Sequence, residues 1–360
     1  MTKLQLALAS AVTALLIAAG GVVAVRTSAG PGTLAFIGGR TVAAAPAPAR
    51  VSAASIPAPL GVRGLPLSNP ASLDAALAAA GYRLPPGANI YAAKITKEAA
   101  GLAYEDYQGG GGALGFNFWP ASSIKVLAAI GALEYLGQQG FTGAATVRFG
   151  AGPPRTVRSI YDAAIRISDN AAYDSLVEIA GVDWLNQEFL SPARGFPRTV
   201  IQRSYTVGGN LRVTPAISVA EGARTVTIPA KNGKVDTDCA QGQCSNLWEM
   251  SESVRRVVLH NEIPEADRFK LAPADVTALT SALLGAEGWI EPAVGRVLGT
   301  GARIYGKPGQ VPGLDCMDVT LIEARDGTRL LLSATVPERQ GGCPALVTLA
   351  TNVLRFLTGR

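Results

Sequence analysis

Three short stretches carry residue types that could do chemistry together. Ser122 and Lys125 stand three positions apart at the start of a strongly apolar helical stretch, FWPASSIKVLAAIGALEYL, and so share one helix face. A serine hydroxyl is a weak nucleophile until a base takes its proton, and a lysine in apolar surroundings can be that base. The first turn of the helix adds backbone N–H groups able to stabilise an oxyanion. Ser123 is the adjacent competitor, but only Ser122 has a lysine at plus three. Ser168-Asp169-Asn170 follows 46 residues after Ser122, between two helical segments, where the same residue types also serve as helix caps. Lys307-Pro308-Gly309 follows a short strand and by itself reads as a turn. The chain has one histidine, His260, at a helix end. A Ser-His-Asp triad or a histidine-built metal site would have to form around that single residue, which reads as structural. Neither a metal nor any other cofactor is expected.

Several elements must position these groups. Ser72 caps a helix through Ala80, and Asn89–Ile95 and Leu102–Tyr107 read as strands. The nucleophile helix runs from about Ser122 to Leu136. Thr156 caps a helix with Val157, Ile160, Ala164 and Ile167 at helical spacing, and further helices cover Ala171–Ala180, Leu247–Leu259 and Pro273–Leu284. The last quarter turns to strands: Ala302–Tyr305, then Val319–Ala324 and Leu330–Val336 around the hairpin signal Asp326-Gly327. A C-terminal amphipathic helix presents Leu346, Leu349, Ala350, Val353, Leu354 and Leu357 on one face. Two strands early and three late predict an α+β, multi-layer fold: an antiparallel sheet of about five strands, terminal helices over it, and a helical lobe.

The chain of 360 residues is 48% hydrophobic and 16% charged, which excludes a disordered protein. Its formal charge of +5 is spread along the sequence without a dense basic run, so no nucleic-acid partner is expected. Leu4–Val25 is an uncharged, mostly apolar run between Lys3 and Arg26. Residues 1–26 therefore read as a signal peptide or N-terminal membrane anchor, and the protein as exported to the periplasm or cell exterior. Residues 27–69 form an Ala/Pro-rich linker, and residues 70–360 the folded domain. The four cysteines, Cys239, Cys244, Cys316 and Cys343, allow three disulfide connectivities; sequence proximity favours Cys239–Cys244, leaving Cys316–Cys343.

Together and in this order, the three motifs resemble the penicillin-recognising serine hydrolases, closest to class A β-lactamases. FWPASSIKVLAA is similar to that family's nucleophile helix, IYDAAIRISDNAAYDSLVEIAG to the segment carrying its second motif, and RIYGKPGQ to the third. The resemblance implies a β-lactamase/transpeptidase-like fold. It implies that Ser122 is acylated with Lys125 as its base, and that Ser168 relays a proton to the leaving nitrogen. Asn170 would hold the substrate amide and Lys125, and Lys307 would supply charge to Ser168 and to a substrate carboxylate. Beyond Gly309 of the third motif, the N–H of Gln310 would join that of Ser122 in the oxyanion hole.

Two positions depart from the family pattern. Pro308 replaces the hydroxyl residue of Lys-Thr-Gly and can donate nothing. The stretch FPRTVIQRSYTVGGN, where class A β-lactamases carry the glutamate that activates the deacylating water, contains no Asp or Glu. Ser204 or Tyr205 falls near that position, and Glu221, Glu249 and Glu252 are the carboxylates that follow. The expectation is a monomeric serine acyl hydrolase acting on a small molecule, a β-lactam or a D-Ala-D-Ala-like amide, and slow to deacylate. A D,D-peptidase or esterase of the same fold, or a non-catalytic cell-wall ligand binder, are the alternatives. The cysteine-bearing loop before Leu247 is expected to overhang the cleft, and Trp119 to belong to the core.

Overall fold

The computed structural model describes residues 71–115, 117–234, 239, 241–340 and 342–360. The leader or anchor expected in residues 1–26 and the linker in residues 27–69 lie outside them. In chain order the elements begin with β1 (Ala71–Ser72), α1 (Leu73–Ala79), β2 (Asn89–Glu98) and β3 (Gly101–Gly109). A 3₁₀ turn (Ala121–Ile124) leads into α2 (Lys125–Gly137), followed by β4 (Thr146–Phe149), β5 (Arg155–Thr156), α3 (Val157–Arg166), α4 (Asn170–Ala180) and α5 (Val182–Trp184). The middle of the chain adds β6 (Val200–Ile201), β7 (Val213–Thr214), β8 (Ile217–Glu221), β9 (Arg224–Ile228), β10 (Lys231–Asn232) and β11 (Gln243–Cys244). Then come α6 (Leu247–Val258), α7 (Pro273–Leu284), α8 (Glu291–Leu298), β12 (Arg303–Val311), β13 (Asp315–Glu323), β14 (Arg329–Pro337) and α9 (Pro344–Thr358).

The main sheet has the order β1-β3-β2-β14-β13-β12, antiparallel except for the short β1–β3 pairing. Its five long strands are those expected from the sequence, lengthened at their ends. Alternation along each strand assigns side chains to two cores. On one face Ile90, Ala92, Cys316, Ile322, Leu330, Leu332 and Ala334 pack with Leu346, Leu349, Val353 and Leu354 of α9, and with α1 and α8. On the other face Tyr91, Ala93, Met317, Val319, Leu321 and Leu331 pack with α6 and, beyond it, with α2 and the helical lobe. Strand β13, covered on both faces, is buried nearly throughout.

Helix α2 is buried on all sides apart from Tyr135 and Gly137, as befits a helix whose sequence is apolar all round. Its Gly131 lies against Leu185 and Phe189. Its one acidic residue, Glu134, is fully spoken for: Arg194 binds both carboxylate oxygens at 2.6 and 2.7 Å, and the Lys270 N–H donates to it at 2.8 Å. The lobe also holds a four-stranded sheet, β5-β4-β8-β9, which the sequence reading did not anticipate. These strands are short and their alternation is broken by polar positions, so periodicity alone does not reveal them.

Both disulfides follow sequence proximity, Cys239–Cys244 and Cys316–Cys343. Among the described residues, no helix is long and apolar enough to cross a membrane. The Cys316–Cys343 bridge ties β13 to the start of α9 across 27 residues of chain. Replacing both cysteines by alanine is expected to cost about 2–4 kcal/mol in urea unfolding. A loss below about 1 kcal/mol would show that apolar packing of α9 suffices without the cross-link.

Candidate active site

The nucleophile segment is fixed by backbone strain and close packing. Ala121 has φ 44°, a left-handed conformation that costs a residue with a Cβ and persists only where the surroundings impose it. Here they do. The Ser123 hydroxyl donates to the Pro120 carbonyl at 2.5 Å and lies 3.7 Å from the Met317 sulfur. Across from it, Gly309 of β12 approaches so closely that a Cβ there would sit 2.9 Å from the Pro120 oxygen and 2.9 Å from Met317 Cγ. Ser123 is buried and occupied by this contact, whereas Ser122 is only half-buried and its hydroxyl has no partner among the described residues. The structure thereby separates two serines that the sequence places side by side. Ser122 sits in the 3₁₀ turn, and the α-helix begins at Lys125.

Lys125 has no exposed surface. Its Nζ donates to Asn170 Oδ1 at 2.7 Å, to Ser168 Oγ at 3.2 Å and to the Ser168 carbonyl at 2.5 Å. Lys307 reaches the same hydroxyl from β12: its Nζ is 3.0 Å from Ser168 Oγ and 3.2 Å from the Pro308 carbonyl. One serine hydroxyl thus stands between two amines. Burial, reinforced by the neighbouring Lys307 charge, lowers the pKa of Lys125 to about 7, against the pull of Asp169 and Asp174. Burial likewise lowers Lys307 to about 8, with Asp318 opposing it from behind the strand.

The Ser168-Asp169-Asn170 motif divides its duties. Asp169 is the N-cap of α4, accepting the Ala172 N–H at 2.6 Å, so the capping role belongs to that residue. Ser168, at φ 59°, takes a second strained left-handed conformation, and Asn170 opens the helix; both turn to Lys125. Lys307-Pro308-Gly309 is not a turn but the middle of β12. This strand is the edge of the sheet and pairs only with β13, so the missing N–H of Pro308 is tolerated there. Gln310 continues the strand, with its side chain directed to Glu338 at 2.8 Å.

The segment Phe196–Asn210 has no carboxylate of its own and is anchored by two from neighbouring helices. Glu249 of α6 accepts the N–H groups of Arg198 (3.2 Å) and Thr199 (2.8 Å) and the Thr199 hydroxyl (2.6 Å). Asp174 of α4 accepts the Ser204 hydroxyl at 2.6 Å, the Tyr205 N–H at 2.8 Å and the Thr206 N–H at 3.1 Å. The Tyr205 ring packs against Tyr173, tilted at 41° with centroids 4.7 Å apart, and lies 5.4 Å from Lys125 Nζ. Its hydroxyl, whose pKa burial raises well above the ordinary range, donates to Gln243 Oε1.

Gln243 is the residue that sequence reasoning missed. It has no exposed surface, and its Oε1 also accepts the Trp119 indole N–H at 3.2 Å while its Nε2 donates to Tyr173 Oη and the Arg203 carbonyl. It enters from the loop closed by Cys239–Cys244, because β11 pairs with β6. The adjacent cysteine was the only signal available. Trp119 is more than core: half-buried, it carries the Arg203 guanidinium 4.7 Å over its ring. The carboxylates that follow the segment hold other partners. Glu221 binds Thr142, Glu252 is clamped by Arg255 and Arg256, and Glu249 is wholly buried, its pKa raised by that burial to about 7. Among the described residues, no group of three His, Cys, Asp or Glu side chains could hold a metal ion.

Residues 115–352 match the profile of the β-lactamase enzyme family, and the chain belongs to that family. The fold is that of class A β-lactamases. The Mycobacterium abscessus class A enzyme aligns with a TM-score of 0.53 at 16% identity, over 80% of this chain and 99% of its own. A β-lactamase from Burkholderia vietnamiensis gives 0.54 at 14%, over 79% and 96%, and an ancestral class A β-lactamase 0.53 at 18%, over 76% and 94%. No curated protein matches the chain.

Gly309→Ala tests the packing that places Ser122. With backbone and Met317 in the way, the 3₁₀ turn must shift, at an expected cost of about 1–3 kcal/mol in unfolding free energy. Labelling of Ser122 by an activated ester should slow in parallel. Unchanged stability and labelling would show that the turn has slack.

Proposed function

We propose that this chain is an exported serine hydrolase of the β-lactamase type, acylated at Ser122 by a β-lactam or a D-Ala-D-Ala-like amide and slow to release the acyl group. The observation that carries the reading is the Ser168 hydroxyl shared by Lys125 and Lys307. Near pH 7 a substantial fraction of Lys125 is neutral and has a lone pair for the Ser122 proton. Ser122 Oγ attacks the carbonyl carbon, and the developing oxyanion faces the N–H groups of Ser122 and Gln310. As the C–N bond breaks, the proton passes from Lys125 through Ser168 Oγ to the departing nitrogen. Lys307, still largely protonated, holds the Ser168 hydroxyl and draws a substrate carboxylate. Asn170 fixes Lys125 and faces the substrate amide. Pro308 offers no hydroxyl to that carboxylate, so Lys307 alone recognises it from this strand.

Hydrolysis of the acyl-enzyme needs a second base, and the segment beside Lys125 does not supply one. Tyr205 stands there with its hydroxyl engaged as a donor to Gln243 and its proton held tightly by burial. This favours a long-lived adduct, as in a D,D-peptidase or penicillin-binding protein, over rapid turnover. A purely binding role is disfavoured because it would not require a lysine buried against a serine relay at the cost of its own charge. Residues 1–26 would direct export and residues 27–69 would tether a monomeric domain, whose two disulfides suit an oxidising compartment.

Intact-protein mass spectrometry after mixing with benzylpenicillin should show an adduct on the peptide containing Ser122, absent in Ser122→Ala. A missing general base typically costs about 10²–10⁴-fold, so the adduct should persist for seconds or longer. Turnover without a detectable adduct would overturn the slow-release reading. No reaction at all would overturn the enzyme reading.

The pH dependence of acylation has a definite sign. The base must be neutral, so the rate should rise through pH of about 7. The Lys307 charge must be kept, so it should fall above about 8. The expected profile is a narrow bell between these apparent values, which belong to the coupled pair. A flat profile from pH 6 to 9 would remove Lys125 from the role of base.

A further inference from the structure

At the opposite end of the strand that carries Lys307, the main sheet closes on a pocket of about 470 Å³. Arg303 and Lys307 are four residues apart on β12, or about 13 Å along an extended strand, so this pocket is separate from the serine cluster. Ile95 contributes an apolar patch, and Gly301 and Gly327, both with positive φ and no side chain, leave the mouth open. The rest of the lining is charged, and the charges do not balance. Lys97, Arg303, Arg325 and Arg329 face only Glu323 of the lining and Glu262 behind it. Asp326, on the hairpin turn, is already paired with Arg360.

The hydrogen-bond inventory is unbalanced in the same sense. Arg329 is held rigidly, its Nε to Glu323 at 3.1 Å and its two terminal nitrogens to Glu262 at 2.9 Å each, which still leaves two of its five N–H donors. Arg303 uses one terminal nitrogen for Glu323 and lies over the Tyr305 ring at 5.7 Å, leaving most of its donors available. Lys97 is paired only with Glu262, at 3.3 Å. Arg325 extends past Gly301, and among the described residues it has neither a carboxylate partner nor a hydrogen bond. Two uncompensated positive charges and an excess of forked donors match an anion of charge near −2 with three or more acceptor oxygens. A carboxylate, with two oxygens and one charge, would satisfy neither count.

We infer that this pocket is a binding site for the dianionic phosphate of a small phosphate monoester. Arg325 and Arg303 are the arms that close on it, and Arg329 is the fixed guanidinium at its back. Clamped, pre-oriented arginines suit phosphate because forked donors meet its oxygens in pairs without reorganising.

Isothermal titration of the full chain at low ionic strength, with inorganic phosphate, glucose 6-phosphate and, as the monoanionic control, glycerophosphoglycerol, tests the site and its preference for a dianion. Saturable binding is expected, weakening as salt rises. Arg325→Gln and Arg303→Gln should each weaken it about tenfold or more. Glucose 6-phosphate should bind at least as tightly as inorganic phosphate, and both more tightly than the singly charged diester; preference for the diester would overturn the inference. Thermal unfolding and the rate of Ser122 acylation should stay unchanged in both variants, which keeps this result independent of the serine chemistry. Absence of saturable binding for all three probes, or affinities unaltered in both folded variants, would overturn the inference.

Discussion

The interaction on which the site depends is the sharing of one hydroxyl, Ser168 Oγ, by two buried amines, Lys125 Nζ and Lys307 Nζ. Two ammonium groups so close repel each other and are poorly solvated, so at least one is driven toward neutrality near pH 7. The two amines and the hydroxyl come from three different elements: Lys125 from the buried helix α2, Ser168 from the junction of α3 and α4, and Lys307 from the edge strand β12. Asp169 and Asp174 restrain the shift on Lys125, and Asp318 restrains that on Lys307. The lower value of Lys125 follows from its burial and, next, from the Lys307 charge beside it; the carboxylates only oppose these shifts.

Holding such a group together stresses the backbone next to it. The two non-glycine residues with left-handed φ among the described residues are Ala121 and Ser168, one next to Ser122 and one between the two lysines. Strain of roughly 1–3 kcal/mol per residue is stable only where packing over-determines the conformation. At Ala121 this is the contact of Pro120, Ser123, Met317 and Gly309; at Ser168 it is the capped start of α4 and the three hydrogen bonds of Lys125. Loss of a methyl-sized clearance at Gly309 would therefore be felt at Ser122, although Gly309 carries no reactive group.

The wall opposite the relay is built on a different principle. Its loop contributes aromatic and hydroxyl groups and borrows both carboxylate anchors, from α4 and α6. Gln243 then uses all four of its amide hydrogen-bonding positions to join Tyr205, Trp119, Tyr173 and the Arg203 backbone. A fully satisfied buried amide rigidifies its surroundings.

How much of this was legible in the sequence depends on the range of the interactions involved. Ser122, Lys125, Ser168, Asn170 and Lys307 were identifiable because their spacing is local, three residues on a helix or three around a cap, and because the three motifs occur in order. The five long strands and both disulfides were legible for the same reason, through period-two alternation and short separation. The four-stranded sheet in the lobe was not, since strands of two to five residues with mixed polarity carry no period. Nor was the true setting of Lys307-Pro308-Gly309, which looks like a turn until an edge strand without a partner on one side accommodates proline. The occupation of the Ser123 hydroxyl, the occupation of Glu221, Glu249 and Glu252 by other partners, and the hub at Gln243 were decided only in three dimensions. Glu221, Glu249 and Gln243 are settled by which donor meets which acceptor across 38 to 124 residues of chain, and a sequence records the donors and acceptors without recording their meetings.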